Sequence, residues 1–202
     1  QPQNMGVGKA RNRLVDEAQG HFLFFIDADD TIVPNTIELL HEHANKYQAE
    51  IVYGSYEFVE NDQILEKRYS FHQFSREGDF AQYAYRHYDG IQSPVWNMLI
   101  DINVFRHHHL RFQPINFWED FTLTMDLPTY VNQVVLLPDI TYRYYRHAGS
   151  LSRNHHREKI EKTEILETIQ AIEVVKRDSD RIKDKPFYSK RMLKVMMTDF
   201  YI

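Results

Sequence analysis

Cysteine is absent from the 202-residue chain. That excludes a disulfide framework and any thiolate metal site, and it suits a reducing compartment. No run approaches the roughly 20 apolar residues that a helical membrane span needs. The opening Gln1-Pro2-Gln3-Asn4 lacks the charged and apolar regions of a signal peptide. Basic charge is not in excess: 24 Lys and Arg stand against 29 Asp and Glu, a formal net charge of −5. Nucleic acid is therefore not an expected partner. There is no internal repeat and no low-complexity linker. What is present is a globular composition, 43% hydrophobic and 26% charged, long enough for one substantial core.

The pattern along the chain predicts an α/β fold. Residues 6–19 read as a helix with Leu14, Val15 and Ala18 on its apolar side and Gly20 at the C′ position. The run HFLFFI at 21–26 predicts a central strand buried on both faces. Pro34 opens a second helix with Ile37, Leu39, Leu40 and Ala44 inward, and 49–59 reads as a second strand. A short helix is expected at 79–88, a buried segment at 95–100, a helix at 119–130, and strands at 134–137 and 141–145. Beyond Ser152 the composition changes. Residues 155–178 carry Ile160, Ile165, Ile169 and Ile172 at helical spacing, and a last helix near 186–202 carries Met192, Leu193, Met196, Met197 and Phe200. The expected organisation is a domain over 1–152 and an amphipathic helical tail over 153–202.

The sharpest local signal follows the apolar run: Asp27-Ala28-Asp29-Asp30-Thr31. Two carboxylates spaced i, i+2 at the end of a strand can share one hard cation, and three adjacent acids repel one another without one. In the plainer reading, Asp30 or Thr31 caps the next helix and the rest is a solvated turn. Asp27, Asp29 and Thr31 also resemble the Asp-x-Asp-x-Thr motif of haloacid-dehalogenase-like phosphatases, with Asp27 as nucleophile and Asp29 as general acid/base. That class needs a later lysine and a further aspartate pair; Pro138-Asp139 supplies one acid.

A second resemblance runs further. Asn4-x-Gly6-x-x-x-Ala10-Arg11-Asn12, Ile26-Asp27-Ala28-Asp29-Asp30, Trp96-Asn97-x-Leu99, Trp118-Glu119-Asp120 and Tyr144-Tyr145-Arg146-x-x-x-x-Ser150-x-Ser152 stand in the order of the corresponding segments of glycosyltransferase family 2. Met98 stands where that family carries lysine, and Trp118 where it carries glycine before Glu-Asp. The second departure implies a local change in the acceptor pocket.

The resemblance implies a GT-A-like, Rossmann-related fold: a mixed, mainly parallel sheet flanked by helices, with a C-terminal helical tail. It implies inverting transfer of a hexose from a nucleoside-diphosphate sugar to a hydroxyl of a glycan or lipid-linked acceptor, in bacterial surface polysaccharide or glycan assembly. The cofactor would be a divalent cation, Mn²⁺ or Mg²⁺, held by Asp29 with Asp27 sharing the ion or touching the nucleotide. His147 is a candidate further ligand. Asp120, with Glu119 beside it, would be the base for the acceptor hydroxyl, its basicity raised by Phe117, Trp118 and Phe121. On spacing alone the same two acids read as dipole-favoured residues of a helix's first turn.

Arg11 and Arg146 are candidates for diphosphate contact, because guanidinium pairs bidentately with phosphate oxygens. The His107-His108-His109 tract reads as solvated surface, since consecutive helical residues diverge. Gly6-x-Gly8 is a weak dinucleotide signal, with no strand before it.

The family's opening Pro-x-Tyr-Asn-like and Asp-Asp-Gly-Ser segments have no counterpart here. The expectation is a fragment that lacks half the donor site and is not sufficient for catalysis, which leaves a non-catalytic nucleotide- or sugar-binding piece as a third reading. Localisation is expected to be cytoplasmic, with the terminal helices packed on the domain, pairing two copies or lying at the inner membrane face.

Overall fold

The computed structural model describes residues 4–61, 63–86, 94–146 and 161–188. Its helices are α1 (Val7–Glu17), α2 (Thr36–Tyr47), α3 (Asp79–Arg86), α4 (Ile102–His107), α5 (Glu119–Asp126) and α6 (Lys162–Ile182). Its strands are β1 (Phe22–Phe24), β2 (Thr31–Ile32), β3 (Ile51–Glu60), β4 (Gln63–Lys67), β5 (His72–Phe74), β6 (Met98–Asp101) and β7 (Val134–Tyr145).

The strands form one mixed sheet in the order β1-β6-β3-β7-β2, with β4 added to β3 and β5 to β7. The mixed α/β architecture is as expected, but the sheet is not mainly parallel. Only β3 and β7 pair in parallel among the described strands; every other pairing is antiparallel. The physical reason is the place of β6. It runs antiparallel between β1 and β3, so the strands of one direction (β1, β3 and β7) touch each other only once.

Alternation along the central strands divides the core into two layers. Ile51, Tyr53, Met98, Ile100, Val134 and Leu136 face one cluster, filled out by Phe80, Phe105 and Phe112. Val52, Leu99, Val135 and Leu137 face the other, against Leu40 and Ala44 of α2. Covered on both sides, β3 begins with five consecutive buried residues. β1 does not hold the central place expected of it: it ends the strand order, is three residues long and is half-buried.

Residues 134–145 are one strand and not two. Pro138 and Asp139 form an exposed bulge, and pairing resumes with Ile140 against Ser55. A buried polar knot sits beside it. Asn97, in the left-handed region at φ 62°, donates to the carbonyls of Gly54 (2.6 Å) and Ser55 (3.2 Å), and it accepts from Thr141 Oγ1 (2.5 Å). Gly54 has to be glycine, because a Cβ there would lie 1.8 Å from Thr141 Oγ1.

The helices also turn differently from their apolar periodicity. α1 buries Gly8, Arg11 and Val15, while Leu14 is 63% exposed. Ala18 ends α1 in extended backbone, so Gly20 makes no left-handed cap. In α2, Leu40 and Ala44 are inward as expected and Ile37 is exposed. α6 buries Ala171, Val174, Val175 and Ile182, whereas Ile165 and Ile169 are exposed. It packs on α3 and α5 through Ala81, Tyr85, Phe121 and Met125. Ile160 and most of the expected last helix lie outside the described residues. Among those described, no helix is long and apolar enough to cross a membrane.

Candidate active site

The acidic loop that follows β1 is held from below by β7. Tyr142 Oη accepts the Asp27 N–H (3.1 Å) and donates to Asp30 Oδ2 (2.8 Å), while the Tyr145 N–H donates to Asp30 Oδ1 (2.9 Å). Trp96 stacks on Tyr142, with ring centroids 4.6 Å apart and 9° between planes. Asp30, 8% exposed, is thus a tie between loop and sheet and not a helix cap. Asn35 precedes α2, and Thr31 lies in β2. Asp27 is half-buried and Asp29 exposed.

Arg11 joins this loop to α5. Its guanidinium, 9% exposed, donates from Nη1 to Glu119 Oε1 (2.7 Å) and from Nη2 to Asp27 Oδ1 (3.2 Å), and lies 5.5 Å from the centre of the Phe112 ring. The neighbouring motif residues are scaffolding. Asn12 exchanges two hydrogen bonds of 2.9 Å with the backbone of Phe112. Asn4 Oδ1 accepts the Gly6 N–H. Gly8 lies so near residue 113 that a Cβ would come within 2.2 Å of its carbonyl oxygen, which accounts for the glycine without a dinucleotide.

Glu119 and Asp120 open α5, as the first-turn reading predicts. Glu119 is 7% exposed; burial pushes its carboxyl well above the usual range, Asp120 adds to this, and Arg11 opposes it. Burial likewise raises Asp120, with Arg11 pulling it down and Asp27 pushing it up. Asp120 Oδ1 accepts the Phe121 N–H at 2.7 Å. Asp27, Glu119 and Asp120 are therefore electrostatic neighbours around one arginine.

Trp118 precedes them with φ 71°, a left-handed backbone that glycine adopts at little cost. The family's glycine at this position is the signal for that conformation. Its indole lies edge-on to Phe121 (5.6 Å), and Nε1 donates to Thr168 Oγ1 of α6 (3.0 Å).

The other candidates fall elsewhere. Arg146 lies 3.8 Å from Glu60 and over the Phe58 ring. His147 lies outside the described residues. His107, His108 and His109 are exposed, as expected. Met98 is fully buried in β6. Asp139, which the phosphatase reading needs near Asp27, sits in the β7 bulge, where Arg68 binds the Pro138 carbonyl. Sequence reasoning placed Asp30 in the acidic cluster but missed its ties to Tyr142 and Tyr145, and it missed the contacts of α6 with the segment before α5. The signal available for the tyrosine is the aromatic density of Tyr142, Tyr144 and Tyr145.

No cluster of three or more metal-ligating side chains occurs among the described residues. The donor set is narrower. Asp29 is exposed, and Asp27 has one oxygen turned to Arg11. Two carboxylates of this kind fit a hard cation that takes most of its shell from phosphate and water, not a closed protein cage.

Comparison with known proteins places these features. The profile of glycosyl transferase family 2 matches residues 1–112. Glycosyltransferase GlyA of Streptococcus pneumoniae is 28% identical over 168 residues, covering 75% of this chain and 23% of its own. The cholesterol galactosyltransferase of Borreliella burgdorferi is 24% identical, over 74% of this chain and 44% of its own. A UDP-Glc-named β-1,3-glucosyltransferase of Escherichia coli, WfgD, is 34% identical over 62 residues, 31% of this chain and 24% of its own. The chain thus spans less than half the length of these relatives. Among solved structures, residues 1–349 of S. aureus TarS in complex with UDP-GlcNAc superpose with a TM-score of 0.69 at 15% identity, over 98% of this chain and 52% of that one. That likeness shows the GT-A glycosyltransferase fold, and the sequence match shows that the chain belongs to glycosyltransferase family 2.

Proposed function

We propose that this chain carries the metal-side and acceptor-side elements of an inverting sugar transferase that uses a UDP-sugar and acts in polysaccharide or glycan assembly. The observation that carries the proposal is the Arg11 bridge, which holds the acidic loop at Asp27 beside the acid pair at Glu119-Asp120. The donor class rests on similar proteins, since TarS was solved with UDP-GlcNAc and WfgD is named for UDP-Glc.

Asp29, with Asp27, would hold Mn²⁺ or Mg²⁺. When bound, the cation supplies Lewis-acid neutralisation of the leaving diphosphate. Asp120 takes the proton of the acceptor hydroxyl while that oxygen attacks the anomeric carbon, and the bond from that carbon to the diphosphate oxygen breaks on the opposite face. A raised pKa suits this duty, because a stronger base accepts the proton more readily. Glu119, engaged by Arg11, keeps the pair in place. Arg11 itself is assigned to this positioning role and not to the diphosphate.

The test is release of UDP from UDP-GlcNAc and UDP-glucose by the full-length protein with Mn²⁺, paired with calorimetry of UDP binding with and without the metal. Metal-dependent binding and UDP release are the expected results. Turnover of p-nitrophenyl phosphate without nucleotide binding would return Asp27 and Asp29 to the phosphatase reading. UDP binding without turnover would leave a binding module.

A further inference from the structure

We infer that α6 is a working part of the acceptor side, and that Glu167 and Thr168 are positioning residues for the Glu119-Asp120 pair; the inference rests on the function proposed above. The segment 116–118 leads directly into α5, and two adjacent residues of α6 hold it. Glu167 Oε2 accepts the backbone N–H groups of Asn116 (2.9 Å) and Phe117 (3.1 Å), and Oε1 accepts from the Asn116 side-chain amide (3.0 Å). Thr168 Oγ1 accepts from the Trp118 indole (3.0 Å). One carboxylate receiving two successive backbone N–H groups fixes peptide planes, and charge-assisted bonds of this kind are the strong ones.

The segment needs an external hold. Trp118 sits at φ 71°, where a residue with a Cβ is strained, and no side chain caps α5. An unheld Trp118 relaxing toward negative φ would rotate the first turn of α5, and with it both acids. The opposite end of α5 is tied by the same helix: Arg181 donates to Asp126 Oδ1 at 2.5 Å and lies 4.3 Å over the Tyr130 ring. Between these ends Val175 packs with Phe121 and Met125. α6 therefore brackets the helix that presents the acids, and its contacts with the domain are placed where they set the direction of Asp120.

The experiment uses the full-length protein with the UDP-sugar that the wild type turns over, comparing Glu167→Gln, Thr168→Val, Thr168→Ser and the exposed-face control Glu173→Gln. Glu167→Gln and Thr168→Val should lower kcat per folded molecule about tenfold with donor KM within about twofold, as expected for misplacement of a catalytic group. Thr168→Ser, which keeps the hydroxyl, and Glu173→Gln should match wild type. An active wild type whose Glu167→Gln and Thr168→Val variants keep kcat per folded molecule, losing total rate only in proportion to the folded fraction, overturns the inference alone. A wild type that releases UDP from no UDP-sugar overturns the proposed function and this inference with it. Should Glu167→Gln fail to fold, Thr168→Val, which deletes a single hydrogen bond, decides by the same criterion.

Discussion

The Arg11 guanidinium and the Glu119 carboxylate meet at 2.7 Å although they stand 108 positions apart in the chain. Both are almost wholly withdrawn from solvent. Two such groups stabilise the fold only as a pair, because a buried charge that loses its partner keeps its full desolvation cost. The pair is therefore a constraint between α1 and α5 as much as a bond.

Arg11→Gln should destabilise the protein by about 2–4 kcal/mol, somewhat less than a fully charged pair would lose, because Glu119 can take up a proton. It should also move the pH dependence. Arg11 lowers the pKa of both Glu119 and Asp120, so its removal raises them further. A general base must be unprotonated, so the rising acidic limb of kcat against pH should shift to higher pH. A pH series of UDP release on folded variant protein checks the sign; a limb that stays in place means Asp120 does not feel Arg11.

Asp120→Asn should leave UDP-sugar binding intact and lower turnover by about 10²–10⁴-fold, the usual share of general base catalysis. Asp29→Asn should do the reverse, weakening Mn²⁺ and UDP binding first. Calorimetry and initial rates on the same two variants separate the roles. Near-normal turnover in Asp120→Asn together with loss of activity in Glu119→Gln would transfer the base to Glu119.

Tyr142→Phe removes the acceptor for the Asp27 N–H and the donor to buried Asp30. Leaving these groups unpaired should cost about 1–3 kcal/mol. Because the tie supports the acidic loop, Mn²⁺-dependent UDP affinity should fall more than in a core variant of equal stability loss. Equal losses in the two would show that the phenol serves the fold alone.

Asp178 gives a stability test remote from the chemistry. Burial, helped by Asp126, pushes its carboxyl up to about 6 from 3.8. The sign follows from linkage: the folded state holds the proton more tightly, so stability is full below the ordinary carboxylate pKa and is lost as pH rises toward 6. Asp178→Asn should therefore be more stable than wild type at pH 7, by about 1–3 kcal/mol for a shift of this size. The difference should vanish near pH 3.5. Urea melts at the two pH values decide it.

Much of this was legible in the sequence, and the reasons are local. The early residues of β3 follow from a continuous run rich in β-branched and aromatic side chains, and the starts of α3 and α5 coincide with first-turn acids. What was not legible depends on pairing at a distance. Nothing in MLID says that β6 runs antiparallel between β1 and β3, and so the sheet reads as more parallel than it is. Pro138 looks like the end of a strand, yet Ile140 resumes the ladder beyond the bulge. The isoleucines at 165 and 169 suggest the wrong face of α6, because Ala171, Val174 and Val175 fit the space against α3 and α5. Trp118 in place of glycine pointed to an altered pocket; the structure adds that the left-handed backbone is retained and the ring is anchored. In the motif Ala10-Arg11-Asn12 the arginine reads as a candidate for diphosphate contact; its two carboxylate partners, one on the acidic loop and one on α5, are not legible.

The two anchors of α6, at Glu167 and Arg181, are about four helical turns apart at 3.6 residues per turn, and so project in nearly the same azimuth. Together they fix the angular phase of the helix as well as its position. A single residue inserted between them, for instance after Glu173, would turn one anchor by about 100° relative to the other, so that only one could remain engaged. Two full turns inserted would restore the azimuth but displace the far anchor by about 10 Å along the axis, past Asp126. Length changes in this helix are therefore not neutral even where its surface is exposed. Between residues 167 and 181 the chain should accept substitution far more readily than insertion or deletion.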